Sequence, residues 1–165
     1  MPRRAFTLVE LIVVIAIIGL LSTIAIVSVD SARVKSRNAK RTADLKQVMT
    51  AFGVAYSLSG SFPASGDACI ASACTGAWSS VAADAGVDAF FSPYINPKPT
   101  DPVGGSRGRG GYIFTGNWTG GSSSGNYFPA GPIISFSLEG VTICPFGKIW
   151  WQGPAETECV VNLSL

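Results

Sequence analysis

Two sets of side chains in this sequence are placed so that they could do chemistry. The first is a single carboxylate, Glu10, near the start of an apolar run that covers residues 6–29. Arg3 and Arg4 precede the run and the next basic residue is Arg33, so no cation lies within helical reach of Glu10. A carboxylate deep in hydrocarbon costs on the order of a few kcal/mol. Near a helix N-terminus it is also mildly favoured by the helix dipole. The second set is four cysteines, Cys69, Cys74, Cys144 and Cys159. Their C-x4-C and C-x14-C spacings suit zinc poorly, and no histidine exists to complete a mixed site. They read as disulfides in an oxidising space outside the cytoplasm. Four cysteines permit three pairings, of which the local one, Cys69–Cys74 with Cys144–Cys159, is the first choice. The second bridge would close a loop of about 15 residues, worth roughly 3 kcal/mol in the chain-entropy picture.

Other chemistry is poorly supported. Histidine is absent, which removes the commonest general base and metal ligand. There is no G-x-S-x-G motif. Asp84 and Asp88 make an acidic pair, but in an alanine-rich stretch that reads as a solvated helix face. We expect no catalytic residues, no metal and no cofactor. The segment "SRGRGGY", ending at Tyr112, has the arginine–glycine texture of nucleic-acid binders, with a tyrosine to stack. Two arginines in one glycine-rich loop are a weak signal, and the surrounding charge is negative, so nucleic acid is not an expected partner. "NWT" at Asn117 has the form of a glycosylation sequon and reads as chance.

The elements that position these residues fall into zones. The 165 residues suit one compact domain plus appendages. Mean hydropathy is +0.36 and 13% of residues are charged, an excess that residues 6–29 largely explain. At about 1.5 Å per residue that run spans roughly 36 Å, enough to cross a hydrocarbon core of about 30 Å. No Pro or Gly interrupts 20–52, so the helix should continue past the run. Between Lys35 and Asp44 the pattern is polar nearly all round, as in a solvated or partner-facing helix. Leu45, Val48, Met49, Phe52 and Tyr56 then recur at spacings of three and four, an apolar stripe that needs a core. Gly60 and Pro63 end it. A helix from Phe6 to about Ser57 would be roughly 78 Å long.

Beyond residue 60 the texture changes. "GYIFTG", "NYF", "PIISFSLEGVTIC" and "ECVVNLSL" read as antiparallel strands. "GGSRGRGG" and "TGGSSSGN" read as loops. Charge is also divided. Arg33, Lys35, Arg37, Lys40, Arg41 and Lys46 cluster on the helix, whereas the chain from Gly60 onward has four basic residues and seven acidic ones. The expected fold class is α+β: a long N-terminal helix, membrane-embedded in its first half and amphipathic in its second, packed on a small antiparallel head. The zones are 1–5 as leader, 6–29 as transmembrane and assembly half, 30–59 as amphipathic half, and 60–165 as disulfide-bonded head.

An ordinary signal peptide fits badly, because the apolar run is too long and its small-residue cleavage site is weak. A plain signal anchor explains the length but not Glu10. Six basic residues follow the run and two precede it, yet large domains translocate largely regardless of charge. The cysteines place the head outside and Arg3 and Arg4 in the cytoplasm.

The stretch "RRAFTLVELIVVIAIIGLLSTIAI" resembles the N-terminus of type IV pilins and type II secretion pseudopilins. The shared pattern is a short basic leader, a small residue, then Phe-Thr-Leu-x-Glu-Leu and an apolar helix; here these are Ala5, Phe6, Thr7, Leu8, Glu10 and Leu11. The resemblance implies cleavage between Ala5 and Phe6 by a prepilin peptidase and methylation of the Phe6 amine. It also implies that Glu10 pairs with a neighbour's Phe6 amine in a helical filament. The implied role is a structural subunit of a type IV pilus-like filament, with a secretion pseudopilin, or a minor pilin in DNA uptake or adhesion, as alternatives. The implied partners are further copies, related minor pilins, the peptidase, an inner-membrane assembly platform and, before assembly, the lipid bilayer. The implied location is the inner membrane, then an extracellular or periplasmic filament. "GSFP" and "SPYINPKPTDPVGG" are similar to turn segments of the same families. Val27 stands where many members carry a kinking Pro. Major pseudopilins bind calcium in an acid-rich C-terminal loop, whereas this C-terminal part offers only Glu139, Glu156 and Glu158 and is closed by cysteines as in a type IV pilin.

Overall fold

The computed structural model describes residues 6–70, 74, 81–102 and 111–164, and of 24–28 the backbone alone. The chain divides into two compact units, Met1–Ser36 and Arg37–Leu165. Helix α1, Leu8–Ser59, contributes to both. It ends where the sequence predicts. Gly60 takes a left-handed φ of 76° and donates its N–H to Tyr56 O at 2.8 Å, a conformation that glycine enters without a Cβ penalty. Phe62 then turns back and stacks on Tyr56, with ring centroids 4.6 Å apart.

The second unit holds β1 (Asp67–Cys69), α2 (Ala85–Phe91), a 3-10 turn (Ser92–Tyr94), β2 (Ile113–Thr115), β3 (Gly121–Ser123), β4 (Asn126–Phe128), β5 (Ile133–Glu139), β6 (Lys148–Gln152) and β7 (Glu156–Asn162). Five strands form an antiparallel sheet in the order β1-β2-β5-β7-β6, and β3 pairs with β4 separately. The architecture is α+β. The last strand, β7, sits between β5 and β6, and six of its seven residues are buried.

The core lies between the outer part of α1 and one face of the sheet. Leu45, Val48, Ala51, Phe52 and Ala55 are buried along one helix stripe. They meet Ile134, Phe136 and Leu138 of β5 and Cys159 and Val161 of β7, the alternate residues that a strand turns to one face. Phe52 is the hub: its ring lies 4.9 Å from Phe114 and 5.1 Å from Phe91. The opposite face carries a smaller cluster of Phe128, Ile133 and Val160 with Trp118 and Trp150.

Two segments differ from the sequence reading. "TGGSSSGN" is not a plain loop but contains the β3–β4 hairpin, turned by Ser124 (φ 49°) and Gly125 (φ 76°). Its residues have little strand propensity, so the hairpin owes its shape to tertiary bonds. Ser123 and Ser124 hydroxyls donate to Trp150 O at 2.5 and 2.9 Å, and Asn126 Nδ2 donates to Ile149 O at 3.0 Å. These cover the free edge of β6, which would otherwise present unpaired backbone. The "KIWWQ" of β6 and the "DAC" of β1 are strands outside the segments predicted to be strands. Most of "GGSRGRGG" lies outside the described residues.

Replacing Phe52 with Ala should remove the hub and leave a cavity too enclosed to collapse. The expected loss of unfolding free energy is roughly 3–5 kcal/mol, read from urea titration of the full chain in detergent. A loss below 1 kcal/mol would mean that the stripe is not the core.

Candidate functional site

The N-terminal part of α1 starts with a reciprocal cap. Thr7 immediately precedes the helix and Glu10 is its third residue. Glu10 N donates to Thr7 Oγ1 at 3.2 Å, and Thr7 N donates to Glu10 Oε2 at 2.9 Å. The Thr7 hydroxyl reaches the same carboxylate oxygen at 2.8 Å. This is a Thr-x-x-Glu capping box, which satisfies two of the backbone donors that any helix start leaves open. Glu10 therefore has a partner within its own turn, in addition to any partner that another chain supplies. Phe6 is 77% exposed; Ala5 lies outside the described residues. Leu8, Val9, Leu11, Leu20 and Leu21 are likewise exposed, an apolar surface unpartnered among the described residues. Among the described residues no helix is long and apolar enough to cross a membrane. The span expected at 6–29 takes in 24–28, whose side chains are outside that description.

The outer part of α1 carries a second polar constellation, in the stretch whose all-round polarity suits a solvated or partner-facing helix. Arg41 is 1% exposed. Its Nε and Nη2 donate to the two oxygens of Asp101, both at 2.8 Å, and its Nη1 donates to Glu139 Oε1 at 2.7 Å. Arg37, one turn earlier, adds a hydrogen bond from Nε to Glu139 Oε1 at 2.7 Å and a short one from Nη2 to Oε2. Between them Asn38 exchanges two bonds with the backbone of Glu139, at 2.9 and 3.0 Å. Lys40 reaches Asp44 at 3.2 Å and Thr100 O at 2.7 Å. The buried Tyr112 hydroxyl donates to Asp44 Oδ2 at 3.1 Å. Tyr112 is thus a core residue and has no face free to stack a base.

Charge follows this geometry. Burial alone would push the Arg41 guanidinium down, but hydrogen bonds to Asp101 and Glu139 hold it above its ordinary value. The hydrogen bond from Arg37, with Arg41 behind it, outweighs burial and holds the Glu139 carboxyl below its ordinary range. Burial, then the Asp44 charge, raises Tyr112. The constellation is self-neutralising. It fastens the helix to the β5 end and to the segment around Asp101.

The cysteines pair as Cys69–Cys74 and Cys144–Cys159, which is the local pairing. The first tethers β1, the second ties the connection between β5 and β6 to the interior strand β7. Asp84 caps α2 by accepting from Val87 N at 2.9 Å, and Asp88 pairs with Lys98 at 2.7 Å. Both acids have structural jobs rather than a shared site. Among the described residues no cluster of His, Cys, Asp or Glu could hold a metal.

Arg37, Arg41, Asp101 and Glu139 were missed as a group. The available signal was the i, i+4 arginine pair. Their partners lie 60 to 102 residues away in sequence, beyond any local pattern.

Residues 1–26 match the family model described as the prokaryotic N-terminal methylation motif, the leader signature of type IV pilins and pseudopilins. No curated protein and no solved structure matches the chain.

The depressed Glu139 carboxyl gives a pH test. Its stabilising contribution is complete above its ordinary value of 4.5 and is lost as pH falls through the lower folded value. The head's melting temperature should therefore decline below about pH 4.5, and Glu139→Gln should flatten that decline while lowering the neutral-pH value. An unchanged acid limb in Glu139→Gln would show that other carboxylates set it.

Proposed function

We propose that this chain is a structural, non-enzymatic subunit of a type IV pilus-like filament. The observation that carries the reading is the match of residues 1–26 to the methylation motif, with Ala5, Phe6 and Glu10 at its processing and assembly positions. The chain enters the cytoplasmic membrane through the apolar run at 6–29, with Arg3 and Arg4 inside and the disulfide-bonded head outside. A prepilin peptidase cuts after Ala5, and the new Phe6 amine is methylated. The subunit then leaves the bilayer for a helical filament of further copies and related minor pilins, extended from an inner-membrane platform.

In that filament Glu10 meets the Phe6 amine of a neighbour. The capping box bears on the mechanism. A carboxylate already holding Thr7 has a fixed rotamer and a settled helix start, so little side-chain entropy remains to be lost on pairing. The exposed apolar residues around it supply the packing, and the ion pair sets the register.

Intact mass of protein from sheared filaments should show a chain starting at Phe6 with one added methyl group. An intact Met1, or a cut after Ala25, would sink the reading. Substitutions at Glu10 and Thr7 separate assembly from capping. Glu10→Gln keeps a capping-box residue but loses the charge; Thr7→Ala loses the cap but keeps the charge. If pairing governs assembly, Glu10→Gln and Glu10→Ala should both cut the ratio of sheared filament to membrane pool strongly, while Thr7→Ala has a mild effect. A harmless Glu10→Gln beside a harmful Thr7→Ala would reduce Glu10 to a helix cap.

A second reading, a secretion pseudopilin, is favoured by the Pro-x-Asp-Pro pattern at Pro99, Asp101 and Pro102. Calcium distinguishes the two. With Glu139 taken up by Arg37 and Arg41, millimolar calcium should leave the melting temperature unchanged. A large rise would favour the pseudopilin, because a ligand that binds only the folded state stabilises it.

A further inference from the structure

We infer that the heads of neighbouring copies meet knob to groove: Val141 and Ile143 of one head seat in the groove between α1 and residues 94–100 of the next. The inference rests on the filament reading above and names a contact within it.

The knob is the connection between β5 and β6. Val141 is 68% exposed and Ile143 81%, two large aliphatic side chains on one short loop. The loop is firmly held. Gly140 N donates to Ala155 O at 2.7 Å, Thr142 N to Thr157 Oγ1 at 3.0 Å, and Gln152 Nε2 to Thr142 O at 2.8 Å. Cys144 is bonded to Cys159. An apolar pair on a fixed loop has little ordering entropy left to lose on docking.

The groove has a volume of about 850 Å³. Ala51 and Val54 of α1 face Ile95 and Pro97 across it, with Gln47 and Tyr94 at its sides. Two of its three lysines are paired, Lys40 with Asp44 at 3.2 Å and Lys98 with Asp88 at 2.7 Å, and the third, Lys46, is exposed to solvent and can stay hydrated at the rim. Residues 140–147 carry no charge, so seating them there strands no counter-ion. A charged occupant would instead compete with those pairs. The knob does not line its own groove. Each head therefore offers a knob to one neighbour and a groove to another. Such a heterologous contact does not close into a two-fold dimer, and where its rotation does not close a ring it propagates along an open helix.

The test uses the full-length chain in assembled filaments, with a benzoylphenylalanine photo-crosslinker replacing Ile143 and, in a separate strain, Gln47. From position 143 we expect crosslinks to peptides containing 47–54 or 94–100 of a second copy. From position 47 we expect crosslinks to 140–147. Ile143→Asp should lower the ratio of filament to membrane pool by roughly tenfold, about what one buried aliphatic side chain is worth, with the head's melting temperature unchanged. Normal filaments whose crosslinks lie elsewhere, or an unaltered ratio in Ile143→Asp, overturn the contact and leave the filament reading standing. A wild-type chain that is cut before Phe6 yet forms no filament overturns both.

Discussion

The head is organised around one buried cation. The Arg41 guanidinium is held by Asp101 on one side and Glu139 on the other. These acids come from distant parts of the chain, one before the sheet's second strand and one at the end of β5. Apolar packing alone specifies the position of α1 loosely. A stripe of Leu45, Val48, Ala51, Phe52 and Ala55 shifted by one turn would still present small and large apolar groups to the sheet. The ionic fork does not tolerate that shift. Moving Arg41 by about 5.4 Å would leave a guanidinium and two carboxylates apart in a site that excludes water, at several kcal/mol. The hydrophobic contact provides most of the attraction, and the fork fixes the register.

The same logic explains the covalent links. Strand β7 comes last in sequence yet lies between β5 and β6, so both neighbours must be in place before it can complete the sheet. The Cys144–Cys159 bond joins β7 to the connection that follows β5, shortening the search for that closure. At the sheet's far edge β1 is only three residues long, too short to hold itself. The Cys69–Cys74 bond and the pairing with β2 hold it instead.

Legibility in the sequence followed the range of the interaction. The long helix, its end at Gly60, the strands at 113–115 and 133–139 and the apolar stripe were readable, because periodicity and glycine conformation are local properties. The capping box was readable in principle as Thr-x-x-Glu. It was obscured because Glu10 was weighed as an unpartnered charge in an apolar run. The strand at 126–128 was readable from its aromatic residues, but its partner at 121–123 was hidden because Gly and Ser have no strand propensity, and the bonds that hold the hairpin come from Trp150 and Ile149. Arg37 and Arg41 read as solvated or partner-facing because five of the residues from Lys35 to Asp44 inclusive are charged, on a stretch that is polar nearly all round. Only the fold shows that one side of that surface is closed by Asp101 and Glu139.

The polar groups of α1 therefore divide by how completely the subunit satisfies them. From Arg37 to Asp44 they are met by the head itself, with bidentate and reciprocal bonds. At Glu10 the partner among the described residues is a threonine, and the apolar side chains around that turn are bare. A carboxylate in such surroundings is stable at a wet helix end and costly when packed against other apolar helices without a cation. In the filament proposed above, that cost would select among packed states. Those that bring a positive charge to the first turn of α1 recover the desolvation cost, and those that do not are penalised by the full amount.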